Sequence, residues 1–405
     1  MIVLAGGDLV LPDRVLSSAS LLIDGEQIAA IDPRPRIEPA GADVVDVTGC
    51  YVVPGFIDVH VHGVEGHDTL DGAGAIAAIA QRLPRYGVTA FCPTAVACPP
   101  EALRAFLDQV RRARIAPLPG SARVLPAHFE SNFINPEYRG AQPAGCLRRP
   151  PTQADVQQAY AAQPGDYSGV QILATLATAR PDVGIVTLAP ELPGAIDLIK
   201  SLAAAGHIVS LGHSGADLDA AVAAVEAGAR HATHLFNRMR RLDHRDPGLA
   251  GAVLAREDLA AELICDAYHV HPAMCRVAIA AKGIHTVMAI TDGTAGSGLP
   301  PGSTARLGGQ TLHVRTDAAL LDDGTLAGST LTMDRAFATI VGRFERSIVD
   351  AAAMCSTTPA RQLDLADAGV LAEGALADIV VLDQAFRVEA TYIAGQRVFE
   401  RSHRR

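Results

Sequence analysis

Eight short apolar runs, most followed by a stretch of helical period, and two β-patterned chain ends around them predict an α/β protein. The expected fold is a closed (β/α)8 TIM-like barrel with a small β-sandwich domain formed by both chain ends. The third observation is how the runs end: almost every one closes with a polar or ionisable residue, among them His, Glu, Asp and Thr. In a parallel barrel all strand C-termini open on one face, so residues far apart in sequence converge there.

The elements follow in chain order. Residues 1–53 read as short, half-alternating strands broken by Gly, Asp and Pro, as in SLLIDGEQIAAIDP, where Asp24–Gly25 signals a hairpin. The same texture returns in ADIVVLDQAFRVEATYIAGQRVFE. Residues 1–53 with 357–405 are therefore expected to form the β domain, and 54–356 the barrel. The runs are PGFIDVHVH (54–62), GVTAFCPT (87–94), ARVLPAHFE (122–130), GIVTLAPE (184–191), HIVSLGHS (207–214), HATHLFN (231–237), AAELICDAYH (260–269) and HTVMAITD (285–292). Helices are expected in PGAIDLIKSLAAAG, in ADLDAAVAAVEAG and from about Leu331. Segment 131–183 is longer than a strand-to-strand connection needs, and is expected to cover part of the mouth.

Composition narrows the function. A chain of 405 residues accommodates one barrel of roughly 250 residues plus an appendage. A net charge of −10 leaves no general basic stripe, which argues against nucleic acid and anionic lipid as partners. The seven cysteines are odd in number and lack CxxC spacing, as expected of reduced thiols in a cytoplasmic protein. The N-terminus has no basic segment before its brief apolar run, and no segment reaches the ~20 apolar residues of a membrane span.

The strand ends suggest a metal. His60 and His62 are two apart, so on a strand both imidazoles share a face. Glu130, His213, His234 and Asp292 add mixed nitrogen and oxygen donors, which suit one or two divalent ions such as Zn²⁺ or Fe²⁺ better than Mg²⁺. After His234 an acidic chain crowds Arg238, Arg240, Arg241, His244 and Arg245 into one loop. Such a cluster can neutralise a phosphate through charge-assisted hydrogen bonds.

PGFIDVHVHG and Thr291–Asp292 resemble the first- and last-strand signatures of the amidohydrolase superfamily, the metal-dependent hydrolase barrels. HFESNFINPEYRGAQP, LAPE, LGHS, HATHLFN, HRDPGLAG, DAYHVHP, TDG and DDGTLAGSTLTMDRA follow in the order seen in the N-acetylglucosamine-6-phosphate deacetylase family, so the resemblance spans essentially the whole chain. It implies that Glu130, His213 and His234 hold one metal and that His60 and His62 let Glu130 bridge to a second. Asp292 then matches the acid/base that takes a proton from water and returns it to the departing amine. Asn237, Arg238, Arg245 and His269 match substrate and phosphate contacts, in some relatives with Arg245 reaching across a dimer interface, so a homodimer is expected. Gln142 falls near the substrate, and Ala327, within LAGST, falls in a loop lining the acetyl pocket.

Two departures bear on specificity. The family usually reads HLEGPF where Ser131 and Asn132 stand here, and Ala where Arg238 stands. The expected substrate is N-acetylglucosamine-6-phosphate, with N-acetylgalactosamine-6-phosphate or another N-acyl amino sugar as the near alternative. A cyclic-amide or N-acyl-amino-acid hydrolase would share the barrel, but many of those sites use a bridging modified lysine and no run here ends in Lys. A non-catalytic relative is expected to lose ligands, whereas all six strand-end residues are present.

Overall fold

The computed structural model describes residues 1–152 and 167–402, so 153–166 of the expected mouth-covering segment lie outside the described residues. The eight runs become the strands Phe56–Val61, Val88–Ala95, Ala127–Glu130, Val183–Leu188, Ile208–Leu211, His231–Ala232, Ala260–Ile264 and Val287–Ile290, all paired in parallel. Closure comes from Gly293, just past the eighth strand. Its carbonyl accepts hydrogen bonds from the amides of His62 (2.8 Å) and Gly63 (2.9 Å) at the end of the first. The third strand arrives in two pieces, Arg123–Val124 and Ala127–Glu130, with Pro126 between them, a residue with no N–H for the ladder.

Alternate positions on the strands serve different cores. Phe91, Phe129, Val186, Leu188, Val209, Leu211, Ala261 and Leu263 face outward into the large cluster beneath the helices. Inside the barrel a smaller cluster holds Ile185, Ile208, Ala260, Ile264, Met288 and Ile290. The expected helices form at Ala195–Ala204 and Leu218–Ala227. The first buries Ala195, Leu198, Ile199 and Leu202, an i, i+3, i+4, i+7 face; the second is capped by Asp217, whose carboxylate accepts from the Ala220 amide at 2.9 Å. The helix expected near Leu331 runs over Met333–Gly342.

The two chain ends share a sheet. Ile379–Leu382 pairs antiparallel with Tyr51–Pro54, and the path continues through Ile2–Val10, Val15–Asp24 and Gln27–Asp32 on one side and Val388–Ile393 and Gln396–Glu400 on the other. Asp24 pairs with Gln27, so the hairpin at Asp24–Gly25 forms as expected, with Gly25 at φ 58°. This sheet encloses its own core around Leu4, Leu21, Val52, Ile379 and Tyr392. The helical stretch Ile348–Gln362 crosses the division expected at 356/357.

One element is absent from the sequence reading. Thr304–Leu307, Gln310–Val314 and Ala319–Leu320 form a small antiparallel sheet beside the barrel mouth. Its turn at Gly308–Gly309, both at positive φ, is anchored where the Gly308 amide donates to Asp68 Oδ2 at 3.0 Å and Gln310 Nε2 donates to the Ala141 carbonyl at 2.7 Å.

Candidate active site at the barrel mouth

Six side chains from five strands meet at the C-terminal face in two trios. In the first, His213 Nε2 lies 2.7 Å and His234 Nε2 3.0 Å from Glu130 Oε1, and the two nitrogens are 3.0 Å apart. In the second, His60 Nε2 and His62 Nε2 are 3.1 Å apart and lie 3.4 and 3.3 Å from Asp292 Oδ1. Glu130 Oε2 is 3.6 Å from His62 Nε2, so this carboxylate spans the trios. All six residues are buried.

The chain leaves regular strand geometry to make this possible. His213, His234 and Asp292 sit at φ 49°, 33° and 49°, a left-handed region that costs non-glycine residues on the order of 1–3 kcal/mol. Such backbone turns each side chain off its strand and over the barrel axis. Hydrogen bonds hold the His213 turn: the Asn135 amide donates to the His213 carbonyl at 3.0 Å, and Glu191 accepts from Gly215 N at 2.6 Å, Ser214 Oγ at 2.7 Å and Asn135 Nδ2 at 2.8 Å. Gly328 packs on Asp292 with no room for a β-carbon, which would stand 2.8 Å from the Asp292 carbonyl.

The donor set fits a cation. The Tyr138 carbonyl, 2.8 Å from His213 Nδ1, can only accept, so Nδ1 carries the hydrogen and a neutral His213 turns a bare lone pair toward Glu130. His60 Nδ1 lies 2.9 Å from Glu262 Oε2, which as a carboxylate can only accept, and that pairing puts His60 in the same state. Lone pairs from both trios thus converge at separations near 3 Å, close to the roughly 3.3 Å edge of a tetrahedron of ligands at 2.0–2.1 Å. Glu130, His213 and His234 could hold one divalent ion, and His60 and His62 with the spanning Glu130 a second, beside Asp292.

Electrostatics follow from burial and mutual charge. Burial alone disfavours ionised Glu130, but His213, His234 and His60 outweigh it and hold its carboxyl well below the usual range. Burial likewise opposes ionisation of Asp292, and His60, His62 and His234 prevail, leaving a carboxylate at neutral pH. His234 is pushed up to about 9 because Glu130, Asp292 and Glu262 overcome its burial, whereas desolvation takes His60 down to about 3.

The other expected contacts divide. Gln142 is buried beside Glu130, donating from Nε2 to Oε2 while its own carbonyl accepts from the Ala97 amide at 2.7 Å. Asn237, Arg238 and His269 line the same cleft. His269 is oriented through Nδ1, 2.6 Å from Asp266 Oδ2. Arg245 lies outside this cleft, solvent-exposed. Ala327 does not face the cleft either: its methyl turns into the cluster of Val96, Leu307, Leu312 and Ala319, leaving Leu326 and Gly328 as the lining residues.

The departures at 131 and 132 also turn away. Ser131 Oγ donates to the Thr187 carbonyl at 2.6 Å, and Asn132 Nδ2 donates to the carbonyls of Cys98 (2.9 Å) and Cys146 (2.6 Å). They pin the loop after the third strand; Arg238 alone of the three brings a new group to the cleft. Sequence reasoning missed Glu262, His128 and Asp58, wholly buried under the trios. The available signal was a carboxylate or imidazole inside an otherwise apolar strand, where burial is costly unless the group has a partner.

An amidohydrolase family model matches residues 51–398, and the chain belongs to that family. Within it, the chain belongs with the N-acetylglucosamine-6-phosphate deacetylases. It is 37% identical over 413 residues to the human N-acetylglucosamine-6-phosphate deacetylase, covering 98% of this chain and 94% of the other, and 31% identical over 395 residues to that of Bacillus subtilis, covering 96% and 95%. A Mycobacterium smegmatis N-acetyl-D-glucosamine-6-phosphate deacetylase mutant, solved in complex with N-acetyl-D-glucosamine-6-phosphate, superposes with a TM-score of 0.85 at 31% identity over 98% of this chain and 99% of that one. Among the described residues no helix is long and apolar enough to cross a membrane.

Proposed function

We propose that the chain hydrolyses the acetamide of N-acetylglucosamine-6-phosphate, giving glucosamine-6-phosphate and acetate. The observation that carries the reading is the meeting of both trios in one cleft whose wall also presents Asn237, Arg238 and His269. Glu130, His213 and His234 would hold one divalent ion, and His60 and His62 with Glu130 a second, zinc being the best match to the donors. Such ions lower the pKa of water toward neutrality and polarise a carbonyl.

The residues of the chain do the rest. Asp292, ionised and beside His60 and His62, accepts the proton that water loses as its oxygen adds to the acetyl carbon. When the carbon–nitrogen bond breaks, Asp292 returns that proton to the sugar nitrogen, which leaves as an amine instead of an amide anion. Gln142 keeps Glu130 in place. Arg238 and Asn237 face the phosphate end and His269, steadied by Asp266, the sugar; Arg245, outside its own cleft, would serve a neighbouring protomer in a homodimer. A cytoplasmic location accords with this chemistry.

The test is acetate release from N-acetylglucosamine-6-phosphate, N-acetylgalactosamine-6-phosphate and unphosphorylated N-acetylglucosamine, with dihydropyrimidines and N-acyl amino acids as controls. A clear kcat/KM preference for the first supports the proposal. Preference for the galactosamine epimer would move the specificity, and turnover of the controls alone would refute it.

A further inference from the structure

We infer that Glu262 is a positioning residue that fixes the tautomer and orientation of His60, so that the His60 Nε2 lone pair is presented to the cleft. The inference rests on the reading of His60 and His62 as ligands. Glu262 lies on the seventh strand, Ala260–Ile264, on the inward side with Ala260 and Ile264, and has no exposed surface. An unpaired carboxylate there would be strongly destabilising, so its contacts have to account for its presence.

Those contacts are few and directional. Glu262 Oε2 accepts from His60 Nδ1–H at 2.9 Å and from the His234 amide at 3.4 Å, so one oxygen touches a member of each trio. The other oxygen has no hydrogen-bond partner among the described residues; His128 Nδ1 is 3.7 Å away and already donates to the Val59 carbonyl at 3.0 Å. Glu262 therefore acts on His60 first. With the hydrogen held on Nδ1, Nε2 is left as a bare donor 3.1 Å from His62 Nε2 and 3.4 Å from Asp292 Oδ1. His62 has no comparable support, since its buried Nδ1 has no hydrogen-bond partner among the described residues. A carboxylate behind a ligating imidazole orients it and raises its basicity, and losing such a partner typically weakens metal binding 10–100-fold.

Two substitutions separate this role from simple filling of space. Glu262→Gln keeps an acceptor oxygen for His60 Nδ1–H; Glu262→Leu keeps the volume and removes the acceptor. Zinc uptake by the chelated full-length protein is measured against a competing chelator, and the His60 tautomer is read by ¹⁵N-imidazole NMR of the metal-free protein, with circular dichroism reporting folding. The expected result is two ions in the wild type, near wild-type affinity in Glu262→Gln, and in Glu262→Leu about 10–100-fold weaker binding of one ion with loss of the single Nδ1–H tautomer. Wild-type affinity and tautomer in Glu262→Leu, or equal losses in both variants, would overturn the inference. A wild type that binds one ion yet holds the Nδ1–H tautomer would sink the two-ion reading and leave the orienting role standing.

Discussion

Replacing Glu191 with alanine removes a residue that touches no predicted ligand side chain, yet it should disturb the first trio. Its carboxylate accepts from Gly215 N, Ser214 Oγ and Asn135 Nδ2 at 2.6–2.8 Å, closing the turn that follows His213. Hydrogen bonds to a charged group contribute about 1.5–3 kcal/mol each, so three set a ceiling of about 4.5–9 kcal/mol. Glu191 is half-buried and water can replace part of what is lost, which brings the expected cost to about 2–4 kcal/mol. For a chain of 405 residues that is a fall in Tm of about 2–5 °C. The strained His213 backbone is then free to relax, so zinc retained after dialysis and kcat should fall together. Differential scanning fluorimetry and elemental analysis of the dialysed protein measure both. A Tm shift below about 1 °C with wild-type zinc content would show that the clamp does not hold His213.

Asp292→Asn should leave zinc uptake near that of the wild type and lower kcat by about 10²–10⁴-fold in steady-state assays, since the amide can neither take nor return the proton. Arg238→Ala should raise KM for the phosphorylated sugar about 10-fold or more without affecting the unphosphorylated one, and Arg245→Ala should do so only under conditions where ultracentrifugation shows a dimer. In metal-free protein, the His234 pKa, raised to about 9 from an unfolded value near 6.5, contributes stability that is full below pH 6.5 and lost as pH rises through 9, on the order of 3 kcal/mol. Melting curves between pH 7 and 9.5 should therefore slope downward after chelation and flatten on adding zinc.

What the sequence disclosed was governed by burial and periodicity. Val- and Ile-rich runs ending in His, Glu or Asp are visible because such residues are out of place in a buried strand, and the barrel's parallel strands turn that anomaly into a shared location. Residues that act on those ligands were not visible: Glu262 meets His60 across 202 positions and the Tyr138 carbonyl meets His213 across 75. Backbone conformation was equally hidden. The run 231–237 forms a two-residue strand because His234 and Phe236 both adopt positive φ, and that same turn aims His234 at Glu130. The sheet at 304–320 escaped because its short strands alternate only weakly between buried and exposed positions. Side-chain direction decided the cases of Ala327, Ser131 and Asn132, which belong to the right loops but face away from the cleft.

The central claim is that Glu130, His213 and His234, with His60 and His62, bind divalent ions that enable deacetylation of an amino-sugar phosphate. Its most direct measurement is acetate release from N-acetylglucosamine-6-phosphate by protein stripped of metal and titrated with zinc. Activity absent after stripping and restored as zinc fills the sites, up to two per chain, is the predicted result. Full acetate release by rigorously metal-free protein, or none at any zinc loading, would contradict it.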